Sequence, residues 1–151
     1  LNLKAKKILN YNNFVNILLN SKIQEGLIDI DDTEIRWKNH VKFSFFDSLI
    51  YIKDGELILD ANSQINIINF KEIYKFLQSP KKIRKMIKKI EFNFNYNFDK
   101  KIINIGEVRI DNKSNQKVSD ILKDIEIKND DLQNKIYLKN LLNKALKIHA
   151  G

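Results

Sequence analysis

Hydrophobic residues recur along this chain with two periods, and the changes between them mark its elements. Between Asn12 and Ser21, Phe14, Val15, Ile17, Leu18 and Leu19 stand among asparagines at spacings that predict a short helix. From Gly26 the period drops to two. In GLIDIDDTEIRWKN, Ile28 and Ile30 share one phase and Ile35 and Trp37 the other, so the strand has to bulge or turn near Asp31 and Asp32. Two alternating runs follow, separated by Asp54-Gly55, a dipeptide suited to the positive φ values of a two-residue hairpin. Beyond it Leu57, Leu59, Ala61, Ile65 and Ile67 hold one phase, which predicts roughly 40 Å of strand at about 3.3 Å per residue.

The period lengthens again at FKEIYKFLQ, where Phe70, Ile73, Tyr74 and Leu77 share a helical face. Pro80 suits the first position of a second helix, PKKIRKMIKK. Its Ile83, Met86, Ile87 and Ile90 fall at helical spacing and leave Lys81, Lys82, Arg84, Lys85, Lys88 and Lys89 on the other sides. Strict alternation then returns, with Ile90, Phe92, Phe94, Tyr96 and Phe98 against Glu91, Asn93, Asn95 and Asn97. A turn at Asp99-Lys100 leads to Ile103 and Ile105, with Val108 and Ile110 in the opposite phase, so Gly106 marks a bulge. From Val118 the spacing is helical, and Leu138, Leu141, Leu142, Ala145 and Leu146 form a stripe. The expected fold is one α+β domain, a curved antiparallel β-sheet whose long hairpins form an apolar groove flanked by amphipathic helices. Residues 1–21 are a helical lead-in, 22–111 are β-rich with inserted helices over about 70–89, and 112–151 are a helical tail.

Composition changes this picture in three places. A formal charge of +8 and a pI near 9.5 favour anionic partners, nucleic acid or acidic headgroups. Lys, Ile and Asn are abundant together, the bias an AT-rich coding sequence produces, so part of that charge has an origin other than binding. With no cysteine in 151 residues, disulfides, thiolate metal sites and cysteine nucleophiles are excluded. No apolar run approaches the ~20 residues that span a bilayer. The sequence opens on Leu1 rather than Met, from which a fragment is expected, with any signal or anchor upstream.

Candidate chemistry is sparse. Asp29, Asp31, Asp32 and Glu34 could hold a hard cation but lack the glycine and the twelfth-position Glu of a calcium loop, and they read as a solvated strand edge. His40 and His149 stand far apart without metal-ligand spacing. There is no nucleophile elbow, phosphate-cradling glycine loop or dinucleotide fingerprint, so neither an enzyme nor a cofactor is expected. Cations beside aromatics can signal RNA binding, but the aromatics of KIEFNFNYNF alternate as core residues do.

Taken together, GLIDIDDTEIRWKN, DSLIYIKDGELILDANSQINI and FKEIYKFLQSPKKIRKMIKKIEFNFNYNFDKKIINIGEVRID resemble the C-terminal part of AsmA-like proteins of Gram-negative bacteria, over roughly residues 20 to 115. The shared features are a glycine-led strand with a terminal aromatic, a hairpin about an acidic-glycine turn, a helix ending in a basic stretch, and a second long hairpin. The resemblance implies a periplasmic segment, anchored in the inner membrane by an upstream helix. It also implies a repeated β-groove that handles phospholipid, or another acyl-chain lipid, in outer-membrane biogenesis. The groove candidates are Leu57, Leu59, Phe92, Phe94, Tyr96, Phe98, Ile103 and Ile105. Anionic headgroups, or the phosphates of a nucleic acid, would meet Lys81, Lys82, Arg84, Lys85, Lys88 and Lys89. The rival readings are a nucleic-acid-binding domain that uses the basic helix, which would allow a cytoplasmic location, and a scaffold module without a ligand.

Overall fold

Residues that tolerate a left-handed backbone fix where this chain reverses. Glu25-Gly26 (φ 52° and 80°), Asp54-Gly55 (53° and 81°) and Asp111-Asn112 (49° and 67°) each place two positive φ values in sequence, the geometry that folds antiparallel strands onto each other. The structure is a computed structural model and describes residues 1–8, 11–123, 127–128, 130–131 and 134–151. Among these the strands are β1 (Asn2–Ile8), β2 (Tyr11–Asn20), β3 (Lys22–Gln24), β4 (Leu27–Asp29), β5 (Glu34–Trp37), β6 (Val41–Lys53), β7 (Glu56–Ile67), β8 (Lys89–Asn97), β9 (Ile102–Ile110), β10 (Lys113–Ser114) and β11 (Ile127–Lys128). Helix α1 (Phe70–Leu77) joins β7 to β8, α2 (Gln116–Lys123) precedes β11, and α3 (Lys135–Ala150) ends the chain. The strands form one open antiparallel sheet in the order β1-β2-β5-β6-β7-β8-β9-β10, with β4 also on β6 and β11 also on β9. The α+β class and the two central hairpins are as the alternation predicts.

The phase change at Asp31 and Asp32 has the foreseen cause. β4 and β5 lie end to end along β6, with Ile28 opposite Ile50 and Ile35 opposite Phe43, and the turn between them returns both isoleucines to one face. A bulge in β6 at Asp47 and Ser48 faces that turn. The Asp31 carboxylate accepts from the Ser48 amide at 2.7 Å, and the fully buried Ser48 hydroxyl donates to the Phe46 carbonyl at 2.9 Å. The Ser48 amide and the Phe46 carbonyl of the bulge thereby find partners within the protein. The acidic cluster is turn and ladder chemistry, completed by a Glu34–Lys42 ion pair.

Gly106 does mark a bulge. β9 sets Gly106 and Glu107 against the single residue Asn93, and Asn93 Oδ1 accepts the Glu107 amide at 2.6 Å. A Cβ on Gly106 would lie 2.4 Å from that oxygen. Gly106→Ala should therefore eject the Asn93 side chain and cost about the same as losing its hydrogen bond, ~1 kcal/mol. In a double-mutant cycle by urea denaturation, Gly106→Ala should cost much less when Asn93 is already Ala. Strict additivity would refute this account of the bulge.

Two expected helices are not present. Residues 12–20 belong to β2, whose register shifts between Val15 and Leu18 around Asn16 at φ 52°. One extra residue puts Phe14, Ile17 and Leu19 on the same face, and a strand with that spacing mimics a helix. The helical lead-in over 1–21 is thus a strand pair, β1–β2. Lys81–Lys89 is the second case. Only Lys81–Ile83 form a single 3-10 turn, after which the chain runs extended into β8. A helix here would stack Lys81 on Arg84 and Lys85, and Arg84 on Lys88, like charges at i,i+3 and i,i+4. Tertiary partners take the backbone groups instead: the Tyr74 hydroxyl donates to the Lys85 carbonyl, and Asp111 Oδ1 accepts the Lys88 and Lys89 amides at 2.9 Å.

The helices that do form start at asparagines. The side chains of Asn69, Asn115 and Asn134 accept amides from the first turns of α1, α2 and α3. α1 buries Tyr74 and Leu77, and α2 buries Val118. Of the predicted stripe on α3, Ala145 and Leu146 pack against the core, whereas Leu142 is exposed. Part of the tail between α2 and α3 lies outside the described residues.

Candidate functional site

Register decides which side chains share a face, since residues paired across antiparallel strands project together. One row runs Ile28, Ile50, Leu59, Tyr96, Ile103 and Ile127, across six strands. A second runs Ile35, Phe43, Ile65, Ile90 and Ile110 across five. Between them lie Phe45, Ser63, Phe92 and Val108, and the trio Ala61, Phe94 and Ile105. Every one of the sequence-derived candidates Leu57, Leu59, Phe92, Phe94, Tyr96, Phe98, Ile103 and Ile105 belongs to this apolar face, for Leu57 alternates with Leu59, and the Phe98 ring stands 4.8 Å from that of Tyr96.

The helices cover one end of the face. Ile87, Val108, Ile110 and Val118 form the buried cluster, with Ile67, Ile90, Phe92 and Ile105 packed against it from the sheet and Leu122, Ala145, Leu146 and Ile148 from α2 and α3. Phe92 and Ile105 therefore serve this core. Toward the Asp54-Gly55 hairpin the face is partly open: Leu57 is 38% exposed, Phe98 37% and Ile52 71%, Leu59, Tyr96 and Ile103 are half-buried, and Ile127 at the end of their row is buried. In the middle, the Phe45 and Phe94 rings approach to 6.3 Å across β7. The β7 residues in those rows are the small, buried Ala61 and Ser63. The aromatics of β6 were missed as site residues in the sequence, although KFSFF carries the alternation that would have placed Phe43 and Phe45 here.

The opposite face is mostly polar, although Ile58 is buried on it and Phe46 and Leu49 are each 39% exposed there. Asp60, Asn62, Asn93, Asn95 and Asn104 line a shallow depression of about 390 Å³. Four of these groups bond one another, the backbone or Tyr51: Asn62 Nδ2 donates to the Asp47 carbonyl at 3.4 Å, Asn93 Oδ1 accepts the Glu107 amide, Asn95 Nδ2 donates to Asp60 Oδ1 at 2.7 Å, and the Tyr51 hydroxyl donates to Asp60 Oδ2. That bond to a carboxylate, with some burial, holds the Tyr51 pKa above its ordinary value. At the hairpin end Glu56 accepts from Lys100 Nζ and from Asn97 Nδ2, and these two donors lower its pKa. Asp99 Oδ2 accepts the Leu57 amide at 2.7 Å, which ties the two hairpins together.

The basic candidates are gathered, but not on a helix. Lys89 lies in β8 on the polar side and pairs with Glu91 at 3.0 Å. Arg84 is turned back on the fold, donating to the Ser79 carbonyl through Nε at 2.9 Å and Nη2 at 2.7 Å. Lys81, Lys82, Lys85 and Lys88 are exposed. The two histidines are engaged within the fold, His40 by ring packing and His149 by a hydrogen bond. Trp37 and His40 meet edge to face at 5.4 Å, and His149 Nδ1 lies 3.1 Å from Asn115 Nδ2. Burial first, then the charge of Lys85, pushes the His149 pKa below its ordinary value against the opposing pull of Asp111.

Comparison of the chain with protein-family models, curated proteins and solved structures finds no match.

Proposed function

We propose that this chain is a lipid-handling segment of an AsmA-like envelope protein, with acyl chains lying along the partly open end of the apolar face. The observation that carries the reading is that the apolar rows continue past the helices that cover one end. Leu57, Leu59, Tyr96, Phe98 and Ile103 extend the same surface toward the hairpin end, where Leu57 and Phe98 stay more than one-third exposed. A contiguous apolar surface of this kind is costly in water and calls for an occupant. Alternate strands of a sheet lie about 9.6 Å apart. Rings from β6 and β8 at 6.3 Å therefore lean together over Ala61 and Ser63, which supports a concave, groove-like face. The helices, packed on the sheet through Val118, Leu122, Ala145, Leu146 and Ile148, close the groove at one end. Each methylene taken from water contributes about 0.8 kcal/mol, so a partly enclosed chain is held usefully by a preformed trough.

The protein purified without detergent from a Gram-negative host is expected to carry phospholipid. Photocrosslinking residues introduced at Leu57, Phe94 or Tyr96 should label lipid, and one at Asn95, on the opposite face, should not. Equal labelling from Asn95, or no lipid from any position in a folded sample, would show that this face serves as an interface with protein instead.

A further inference from the structure

Nearly all of the net charge sits in one short stretch. Residues 70–89 hold eight of the 27 Lys and Arg and one of the 19 Asp and Glu, a net +7 of the chain's +8, which leaves +1 for the remaining 131 residues. A compositional surplus of lysine would be spread along the chain, and this one is confined to the connection between β7 and β8.

That connection is a rigid strap. Ser79, Ile83 and Ile87 are buried at 1%, 6% and 3% exposure, and they pin it to the fold. The Tyr74 hydroxyl, the Arg84 guanidinium and the Asp111 carboxylate hold its backbone between and beyond these pins. Lys81, Lys82 and Lys88 project from it and Lys85 reaches across to the His149 carbonyl at 3.4 Å, none of the four in an ion pair among the described residues. Met86 stands among them at 60% exposure. Alongside, Lys71, Lys75 and Arg84 line an open depression of about 730 Å³ together with Glu72, Phe70 and Tyr74.

We infer that this strap docks the helical end of the protein on the surface of an anionic lipid bilayer, with the lysines among the phosphates and Met86 entering the interface. Charge complementarity supplies the attraction, roughly fivefold in partitioning per lysine near the surface. Because the fold already orders the strap, little further ordering opposes binding. The side chain between the cations selects the partner. Within residues 81–88 the exposed apolar side chain is that of Met86, a flexible thioether that suits the edge of a lipid layer better than it stacks on bases, whereas the aromatic rings of the connection lie on α1. The inference does not depend on what the apolar face holds.

The whole protein should co-sediment with vesicles of equimolar phosphatidylcholine and phosphatidylglycerol and not with phosphatidylcholine alone. Binding should weaken with salt as the Debye length shortens from about 10 Å at 0.1 M to about 3 Å at 1 M. Lys81→Gln, Lys82→Gln, Lys85→Gln and Lys88→Gln together should lower partitioning more than a hundredfold, and Lys81→Gln with Lys82→Gln about 25-fold, the latter serving if the quadruple variant misfolds. An equal change of charge elsewhere, at Lys4, Lys6, Lys22 and Lys53, should cost only a few fold. In Met86→Trp the indole emission should shift to the blue on mixed vesicles only. No binding to mixed vesicles, equal losses from the two quadruple variants, or tight binding of a DNA duplex at physiological salt without vesicle binding would each overturn the inference, the last in favour of a nucleic-acid partner.

Discussion

Val108→Asp is expected to abolish the native state under conditions where Arg109→Gln, one residue along, leaves it intact. Val108 is 3% exposed and is walled by Ile87, Ile110 and Val118. The nearest hydroxyl, of Ser119, is already committed: it accepts the Val108 amide at 2.8 Å and donates to the Asn115 carbonyl at 3.0 Å. A carboxylate in this place would have neither water nor a donor. Such burial costs about 4 kcal/mol or more, against a total stability of roughly 5–15 kcal/mol for a domain. Arg109 faces the polar side and is exposed, so its neutralisation should stay within about 0.5 kcal/mol. Urea denaturation followed by circular dichroism measures both. A Val108→Asp protein with an unchanged midpoint would mean that α2 and the strap do not pack on this face.

Much of this fold could be read from the sequence because β7 and β8 obey period two without interruption. The run from Ile90 to Phe98 fixes its own register, and Asp54-Gly55 fixes that of β6 on β7, with Lys53 opposite Glu56. Even the breaks were legible, because a phase change in a strand has few causes: Asp31-Asp32 is a turn and Gly106 a bulge. Misreading came where a strand carries an extra residue, as at Asn16, so that its apolar positions acquire helical spacing. It came again at Lys81–Lys89, where Ile83 and Ile87 suit a helix by spacing, but the amides and carbonyls are claimed by Asp111 and Tyr74, remote in sequence. The β3–β4 hairpin at Glu25-Gly26 went unseen because each strand is only three residues long. For the candidate site, the common face of the eight apolar residues followed from alternation alone. Which of them α2, α3 and Ile87 cover did not, because periodicity within an element carries no information about what docks on it.

Two neighbouring substitutions on β8 test the face assignment from both sides, and for different physical reasons. Phe94 lies on the apolar face with its ring 6.3 Å from Phe45 and 5.8 Å from Phe92. Phe94→Asp removes that packing and sets a charge among apolar groups, and should cost about 3 kcal/mol, less than for a fully buried ring. Asn95 lies on the polar face, where alternation alone predicts a neutral exchange to aspartate. The structure predicts otherwise, because Asn95 Nδ2 donates to Asp60 Oδ1 at 2.7 Å. Asn95→Asp replaces this donor with a second anion, at a cost of about 1 kcal/mol at neutral pH. The two penalties should also differ in their response to acid. Facing Asp60, the introduced carboxyl holds its proton to higher pH in the folded protein than in the unfolded chain. Its penalty is therefore complete above the folded pKa and fades as pH falls through that value, since the folded state then binds the extra proton first. At position 94 the charge part of the penalty fades in the same way, because burial raises the pKa of the introduced carboxyl as well, but the loss of packing has no such relief. Urea midpoints of both variants relative to the parent at pH 7 and pH 4.5 provide the measurement. The expected result is a larger loss for Phe94→Asp at both pH values, and a loss for Asn95→Asp that shrinks at the lower pH. A loss for Asn95→Asp that is independent of pH, or one that exceeds that of Phe94→Asp, would show that the register of β8 on β7 is wrong.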